Sequence, residues 1–424
     1  MSSAIARYKN YISHHGLNAV VVTGGMVVTK LLALGTAMLV ARFSGVETFG
    51  EYTLFTSIFI IASTVPEQLD NTYIIRSGSA DKGAAEPDCR LVNLMIKGIL
   101  FLLVSLLMFL GFIIADKLFF DKLPVYILIT TAVLSGMLIN SFNTLVSYYR
   151  YKKQFTAVSL RRPVVNLTLF LGFVYLYFSY GEIDREGIFS VHVISAVILF
   201  LIVLAFSVPL ISNYYRSALG QVRPFLAHSS VLLVSCIISL VANRLDVFFL
   251  ASYISLEELG YYGVALRIAA VASMFTVVIS TILLPSAPQA LVNRVAYNSY
   301  LKKSVFYLIG QVAIGIILYF MANFFVQLLF SGQPSITTVL SQLLILQSLA
   351  VAIGTPFLSL IQSGKAPHFL IGVSLARMVL GVCLMLLLIP AFGIYGAAYG
   401  VTATALFVSL TMAAMCYRQY RNIP

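Results

Sequence analysis

Tryptophan is absent from this chain, and charge is scarce: only 10% of the 424 residues are Asp, Glu, Lys or Arg. Soluble domains carry roughly a quarter, so a water-soluble globule is excluded. Acids are the scarcer sign, 15 against 27 Lys and Arg, for a net charge of +12. The cysteines at 89, 236, 383 and 416 match no metal or redox spacing, and we read them as inert thiols. No connection between apolar runs is long enough for an extramembrane domain. There is no nucleophile paired with a base, no metal set, no glycine-rich phosphate loop and no nucleotide signature. Neither an enzyme nor an ATP-driven pump is expected, and no cofactor. No nucleic-acid motif is present.

Long hydrophobic runs are abundant. Hydrophobic residues make up 60% of the chain, and its mean hydropathy is +0.96. One helical span needs about 20 apolar residues. Twelve runs qualify, near 18–41, 52–75, 91–115, 124–147, 163–180, 188–211, 226–251, 260–284, 304–328, 336–361, 368–390 and 394–416. The first exceeds a signal-peptide core and has no small-residue cleavage site after it, so it reads as a permanent span. The expected fold is an all-α polytopic membrane protein with twelve transmembrane helices. Without Trp, interfacial belts must come from the 24 Tyr.

Eighteen of the 27 basic residues fall in the termini and even-numbered loops, whereas odd-numbered loops hold only Arg42, Lys117, Lys122 and Arg185. The positive-inside rule then places both termini in the cytoplasm. It also accounts for the net charge without a nucleic-acid partner.

The chain repeats itself. ARFSGVETFGEYTLFTSI (41–58) aligns with ASYISLEELGYYGVALRI (251–268), a spacing of 210, matching Ala41/Ala251, Glu47/Glu257, Gly50/Gly260 and Tyr52/Tyr262. SLRRPVVNLTL (159–169) echoes SLARMVLGVCL (374–384). Both stretches of each pair have the same sidedness, so six spans repeat in parallel about an axis along the membrane normal. Two six-helix bundles, 1–215 and 216–424, are expected around a central cavity.

Ionisable residues inside spans cost at least a few kcal/mol if they face lipid. They are Lys30, Glu67, Asp70, Lys97, Arg244, Asp246, Arg267 and Arg377. Lys30 maps onto Leu240, one turn from Arg244 on the same face. Arg162 occupies the position equivalent to Arg377. Cations from these helices would surround one cavity, whose excess of Arg and Lys favours an anion; Arg offers a planar fork for phosphate oxygens. Structural ion pairs are the plainer account, and Asp246 is their one obvious partner, with Arg267 the candidate to meet it. Lys97 fits a snorkelling side chain. Glu67 and Asp70, one turn apart beside Pro66, fit pairing with a neighbouring cation, or a proton or cation site that couples transport. His192 and His228 read as hydrogen-bonded structural residues. Pro285 and Pro356 mark kinks or span ends.

The ARFSGVETFGEY loop, the span closing on YIIRSGS, and their return as DVFFLASYISLEELGYYGVALRI resemble a known family. It is the polysaccharide transporter branch of the multidrug/oligosaccharidyl-lipid/polysaccharide exporter superfamily, and the chain is most similar to bacterial O-antigen flippases. The resemblance implies transfer of an undecaprenyl-pyrophosphate-linked oligosaccharide between leaflets of the bacterial inner membrane. It implies a V-shaped cavity with Lys30, Arg244, Arg267 and Arg377 along it by helix and depth. Membrane lipids, a polysaccharide polymerase and a chain-length regulator are the implied partners. Coupling would run through Glu67, Asp70 or Asp246. The competing readings are a drug/cation antiporter, which would want an acidic cavity; a membrane glycan enzyme, which would want a large outer loop; and a non-transporting scaffold of a synthase complex.

Overall fold

The computed structural model describes residues 2–67, 96–106, 123–151, 154–283, 286–292, 294–329, 334–363 and 369–420. Nearly all of them are helical, and none of the described residues forms a strand. In chain order the helices are α1 (Ser2–Phe43), α2 (Val46–Thr64), α3 (Ile96–Leu106), α4 (Leu123–Tyr151), α5 (Phe155–Arg161), α6 (Val164–Tyr180) and α7 (Arg185–Ala242). They continue as α8 (Leu245–Tyr253), α9 (Leu256–Leu283), α10 (Ala287–Ala290), α11 (Arg294–Leu329), α12 (Pro334–Ser363), α13 (Phe369–Phe392) and α14 (Ile394–Tyr420). Among the described residues nine helices are long and apolar enough to cross a membrane, or ten if the bent pair α7–α8 makes one span. The expected spans at 52–75 and 91–115 fall on α2 and α3, and the rest of each lies outside the described residues.

Two boundaries differ from the sequence expectation. The loop expected between 211 and 226 is helical, and α7 runs unbroken through it. Gly220 and Pro224, the weakest helix formers, lie within it, so intrinsic propensity does not account for the continuation. Conversely, the span expected as one helix over 226–251 is broken at Asn243–Arg244, with a bend of 47°.

The chain divides into two compact units, one of Met1–Leu39 with Phe55–Cys236 and one of Val40–Leu54 with Ile237–Pro424. Each has its own core. In the first, Ile139, Phe142 and Val146 of α4 pack with Val158 and with Ala196, Leu199 and Val203 of α7. In the second, Leu283, Tyr300, Leu360, Val408, Met412 and Cys416 close together. The outer surface is apolar: Leu102, Phe320 and Leu387 are each more than two-thirds exposed. That pattern suits lipid as the solvent. Small polar residues lie inside instead. Thr337, Ser341, Ser348, Thr355 and Ser359 form a buried stripe along α12. The hydroxyls of Ser341, Thr355 and Ser359 bond the carbonyls one turn back. Such residues let helices approach while leaving no donor stranded in hydrocarbon.

Lys97 does not snorkel. It is 7% exposed, and its Nζ donates to Asn140 Oδ1 and Thr144 Oγ1, both at 2.6 Å. Asn140 Nδ2 donates in turn to the Ser63 carbonyl. Burying an ammonium is tolerable only with such partners. His192 is structural, as expected: Nδ1 meets the Ile188 carbonyl at 2.8 Å, and the ring packs edge-on against Phe55, Phe59 and Phe173. Pro356 lies inside α12, and Pro285 lies outside the described residues.

The repeat packs on itself. Helix α9 opens with a reciprocal cap, Glu258 N–H to Ser255 Oγ and Ser255 N–H to Glu258 Oε2. Its mate α2 starts in the same register at Gly45, with Phe49 N–H bonding Gly45 O as Leu259 N–H bonds Ser255 O. The two helices then cross with backbones in contact. A Cβ on Gly50 would collide with the Leu256 carbonyl, and one on Gly260 with the Val46 carbonyl. These contacts exchange under the 210-residue spacing, since Val46 is the mate of Leu256 and Gly50 of Gly260. Thr53 and its own mate Gly263 also touch. A local two-fold axis therefore runs through the crossing. Gly50→Ala and Gly260→Ala should each destabilise the protein by about 1–3 kcal/mol, because a backbone carbonyl cannot swing aside. Gly310→Ala, where nothing lies within 4 Å, should be neutral or better. Thermal unfolding of the three variants in one detergent checks this.

Candidate functional site

The break between α7 and α8 organises the site. Arg244 leaves helical geometry at φ −127° and ψ 8°. Its N–H bonds Val241 O at 2.9 Å, and its carbonyl restarts the ladder at Phe248 N–H, 3.2 Å away. A restarting helix exposes unpaired N–H groups inside an apolar bundle. Asp246, in the first turn, sets its carboxylate beside the amides of Asp246 and Val247. An anion there is favoured by the helix dipole.

Asp246 is 4% exposed. Its Oδ2 accepts a hydrogen bond of 2.7 Å from Tyr262 on α9, itself wholly buried. Oδ1 has no hydrogen-bond partner of good geometry. Arg244 and Arg377 both interact electrostatically with this carboxylate. Helix α13 brings Arg377 in by its neighbours on the same face. Ser374 bonds Ser239 of α7, oxygen to oxygen at 2.9 Å, and Gly381 lies close against Leu245. Residues 374, 377 and 381 share one helical face, so Arg377 is directed at the break. Arg267, one helical turn and a residue beyond Tyr262, holds its guanidinium carbon 5.6 Å from the Tyr52 ring centre and interacts with Arg244. The Tyr262 hydroxyl stands beside Asp246, a partner the sequence did not offer.

Four of the expected site residues are thus brought together within one unit: Arg244, Asp246, Arg267 and Arg377. Lys30 and Arg162 belong to the other unit. Lys30 is exposed on α1, and Arg162 is half-buried where α5 ends before Pro163. Glu67 is half-buried beside Pro66, and Asp70 lies outside the described residues. Sequence reasoning passed over Tyr262 and Tyr52 as site members. Their identity across the repeat was the available signal. It also passed over Asn140, the polar partner of Lys97.

The repeat serves as an internal control on these charges. The mates of Arg244, Asp246 and Arg267 are Leu34, Thr36 and Ser57. Helix α1 runs through its equivalent stretch unbroken, and Thr36 satisfies itself on Leu32 O at 2.9 Å. The same hairpin therefore folds without the break and without the charges. Three guanidinium groups gather in the second copy, two of them interacting with the Asp246 carboxylate. Such a place can hold an anion with several oxygens.

Removing the Tyr262 hydroxyl takes the 2.7 Å side-chain hydrogen bond from the buried carboxylate. Tyr262→Phe should cost about 1–3 kcal/mol, read as a lower Tm. In an Asp246→Thr background the same change should cost less, because the group to be satisfied is gone.

The profile of the family described as polysaccharide biosynthesis protein matches residues 16–290. No curated protein matches the chain closely enough to report. Among solved structures, the lipid II flippase MurJ in an inward closed conformation is similar with a TM-score of 0.70 at 15% identity, over 96% of this chain and 88% of that one. A mutant of the Vibrio cholerae MATE transporter VcmN reaches 0.66 at 12% identity, over 96% of both chains. A MOP superfamily transporter from Pyrococcus furiosus, described as having a binding pocket of reversed polarity, reaches 0.70 at 13% identity, over 95% of this chain and 94% of that one. Likeness at these identities speaks for the fold. It is the twelve-helix fold of the MOP superfamily, in a multi-pass membrane protein. The extent of the profile match decides the rest: the chain belongs to the polysaccharide biosynthesis protein family.

Proposed function

We propose that this protein is a flippase for an undecaprenyl-pyrophosphate-linked oligosaccharide, O antigen or a similar surface polysaccharide unit. It carries the unit from the cytoplasmic to the periplasmic leaflet of a bacterial inner membrane. The observation that carries this reading is the grouping of Arg244, Arg267 and Arg377 near Asp246, where the first repeat has uncharged residues opposite Arg244, Asp246 and Arg267 and a cation, Arg162, opposite Arg377. Family membership supports a glycan cargo. A fold shared with a lipid II flippase supports a lipid-linked one.

In this reading the halves 1–215 and 216–424 open alternately to the two sides, with both termini cytoplasmic. The prenyl tail stays in lipid while the pyrophosphate enters a water-filled path. Each unit charge paired at 4 Å, at an effective dielectric of about 20, contributes about 4 kcal/mol. Two or three Arg can thus offset much of the cost of drawing the dianion from the headgroup region. Asp246 holds Arg244 and Arg377 in place when no cargo is bound, and Tyr262 holds Asp246. Lys30 and Arg162 supply further cations along the path. Glu67, Asp70 or Asp246 carries any coupling ion. No bond is made or broken, so the protein is not an enzyme. A polymerase and its chain-length regulator act on the delivered unit.

The test is complementation of a flippase-null strain at matched membrane level. Arg244→Leu, which copies the first repeat, should lose at least about tenfold of the surface polymer and accumulate the lipid-linked unit on the cytoplasmic side. Arg244→Lys should retain part of the activity, because it keeps charge and loses the fork. Full complementation by Arg244→Leu would sink the cationic-path reading.

A further inference from the structure

A second basic place is built into the unit of residues 237–424. A cavity of about 430 Å³ opens between the end of α9 and the start of α11. Leu283 and Ser286 line one side, and Lys302, Lys303, Phe306 and Tyr307 the other. The four α11 residues stand at i, i+1, i+4 and i+5, one continuous face of the helix. None of the six lining residues is acidic. The positive-inside bias accounts for lysines in this loop region, but not for a walled cavity beside them.

The sequence fixes the depth of the cavity in the bilayer. Residues 294–303 read RVAYNSYLKK and are polar, whereas 304–328 are apolar almost throughout. Both ammonium groups therefore stand at the boundary where phosphate headgroups lie, with their stems along apolar surface. Just beyond them the helix faces lipid: Val305, Phe306 and Ile309 are 54%, 72% and 64% exposed. The adjoining face of α11 is pinned. Tyr300 donates to Pro356 O at 2.9 Å, and the buried Ser304 bonds Tyr300 O at 2.9 Å. The cavity wall is therefore held in place. Ser286 spends its proton on Leu283 O at 2.8 Å, so the lysines are the strong donors to an incoming anion.

We propose that this cavity binds the headgroup of an anionic glycerophospholipid. The phosphate diester lies between Lys302 and Lys303, the glycerol head fills the cavity, and the acyl chains run along Phe306 and Ile309. A volume within the ligand-pocket range of about 300–1,000 Å³ admits such a head. Basic pockets between membrane helices at headgroup depth favour anionic lipid in this way. Bulk lipid is present in every bilayer at high concentration, so the cavity is occupied independently of cargo.

The experiment titrates the detergent-purified full chain with mixed micelles of phosphatidylcholine and rising phosphatidylglycerol, and counts bound lipid by native mass spectrometry. One phosphatidylglycerol per chain should be retained preferentially. The double variant Lys302→Gln/Lys303→Gln should bind it roughly thirty-fold more weakly, at about tenfold or less per lost charge. Arg294→Gln/Arg418→Gln removes the same charge at boundary positions outside the lining and should bind like wild type. A parallel arm replaces phosphatidylglycerol with undecaprenyl pyrophosphate. Retention of that lipid alone, lost in the lysine variant, overturns the proposal in favour of a cargo site. Equal weakening in both double variants overturns it in favour of diffuse surface charge. Complementation by Arg244→Leu bears on neither result, so this proposal and the transport reading fail separately.

Discussion

Hydrocarbon offers no hydrogen bonds, and this structure depends throughout on that constraint. A donor or acceptor left unpaired at membrane depth is costly, so most of the polar groups here find partners within the protein. The hydroxyls along α12 turn back on their own helix. Lys97 gathers Asn140 and Thr144, and Asn140 reaches the Ser63 carbonyl. Where the backbone breaks between α7 and α8, an aspartate meets the restarting amides, and Tyr262 meets the aspartate. The cationic cluster is the same rule extended. The carboxylate the break calls for draws Arg244 and Arg377, and together they form a polar island in an apolar bundle.

Duplication supplies the frame and its departures supply the chemistry. Gly50 and Gly260 exchange contacts with Leu256 and Val46 about a local two-fold. That explains why this part of the repeat stays readable: backbone-to-backbone contact admits no side chain on either copy. Away from the crossing the copies were free to diverge. The first copy has Leu34, Thr36 and Ser57 where the second has Arg244, Asp246 and Arg267. A charge that one copy does without is not a requirement of the hairpin; in the second copy it accompanies the break between α7 and α8.

Much of the fold was legible because lipid imposes a simple code. A run of apolar residues is a span, and an exposed leucine is correctly placed. The bend at Asn243–Arg244 was not legible as a bend. The apolar run continues across it, and two polar residues within a span signal a break only when the neighbouring helix supplies Tyr262. The continuation of α7 through 211–226 was missed for the opposite reason. Polar residues outside the membrane are compatible with helix or loop, and Gly220 and Pro224 pointed to a loop. Lys97 looked like a snorkelling residue because its nearness to a span end was visible, whereas Asn140, more than forty residues on, was not recognisable as its partner.

The sequence by itself determined the class of the protein, the parallel repeat and the inventory of charges within the spans. Hydropathy and spacing are properties of the chain alone. Tertiary structure decided which charges meet. It grouped Arg244, Asp246, Arg267 and Arg377 within one unit, seated Arg267 over Tyr52, and gave Asp246 to Tyr262. Those pairings depend on how α8, α9 and α13 are rotated against one another. Rotation is set by contacts such as Ser239 with Ser374 and Leu245 with Gly381, which join residues more than a hundred positions apart and leave no periodic trace along the chain.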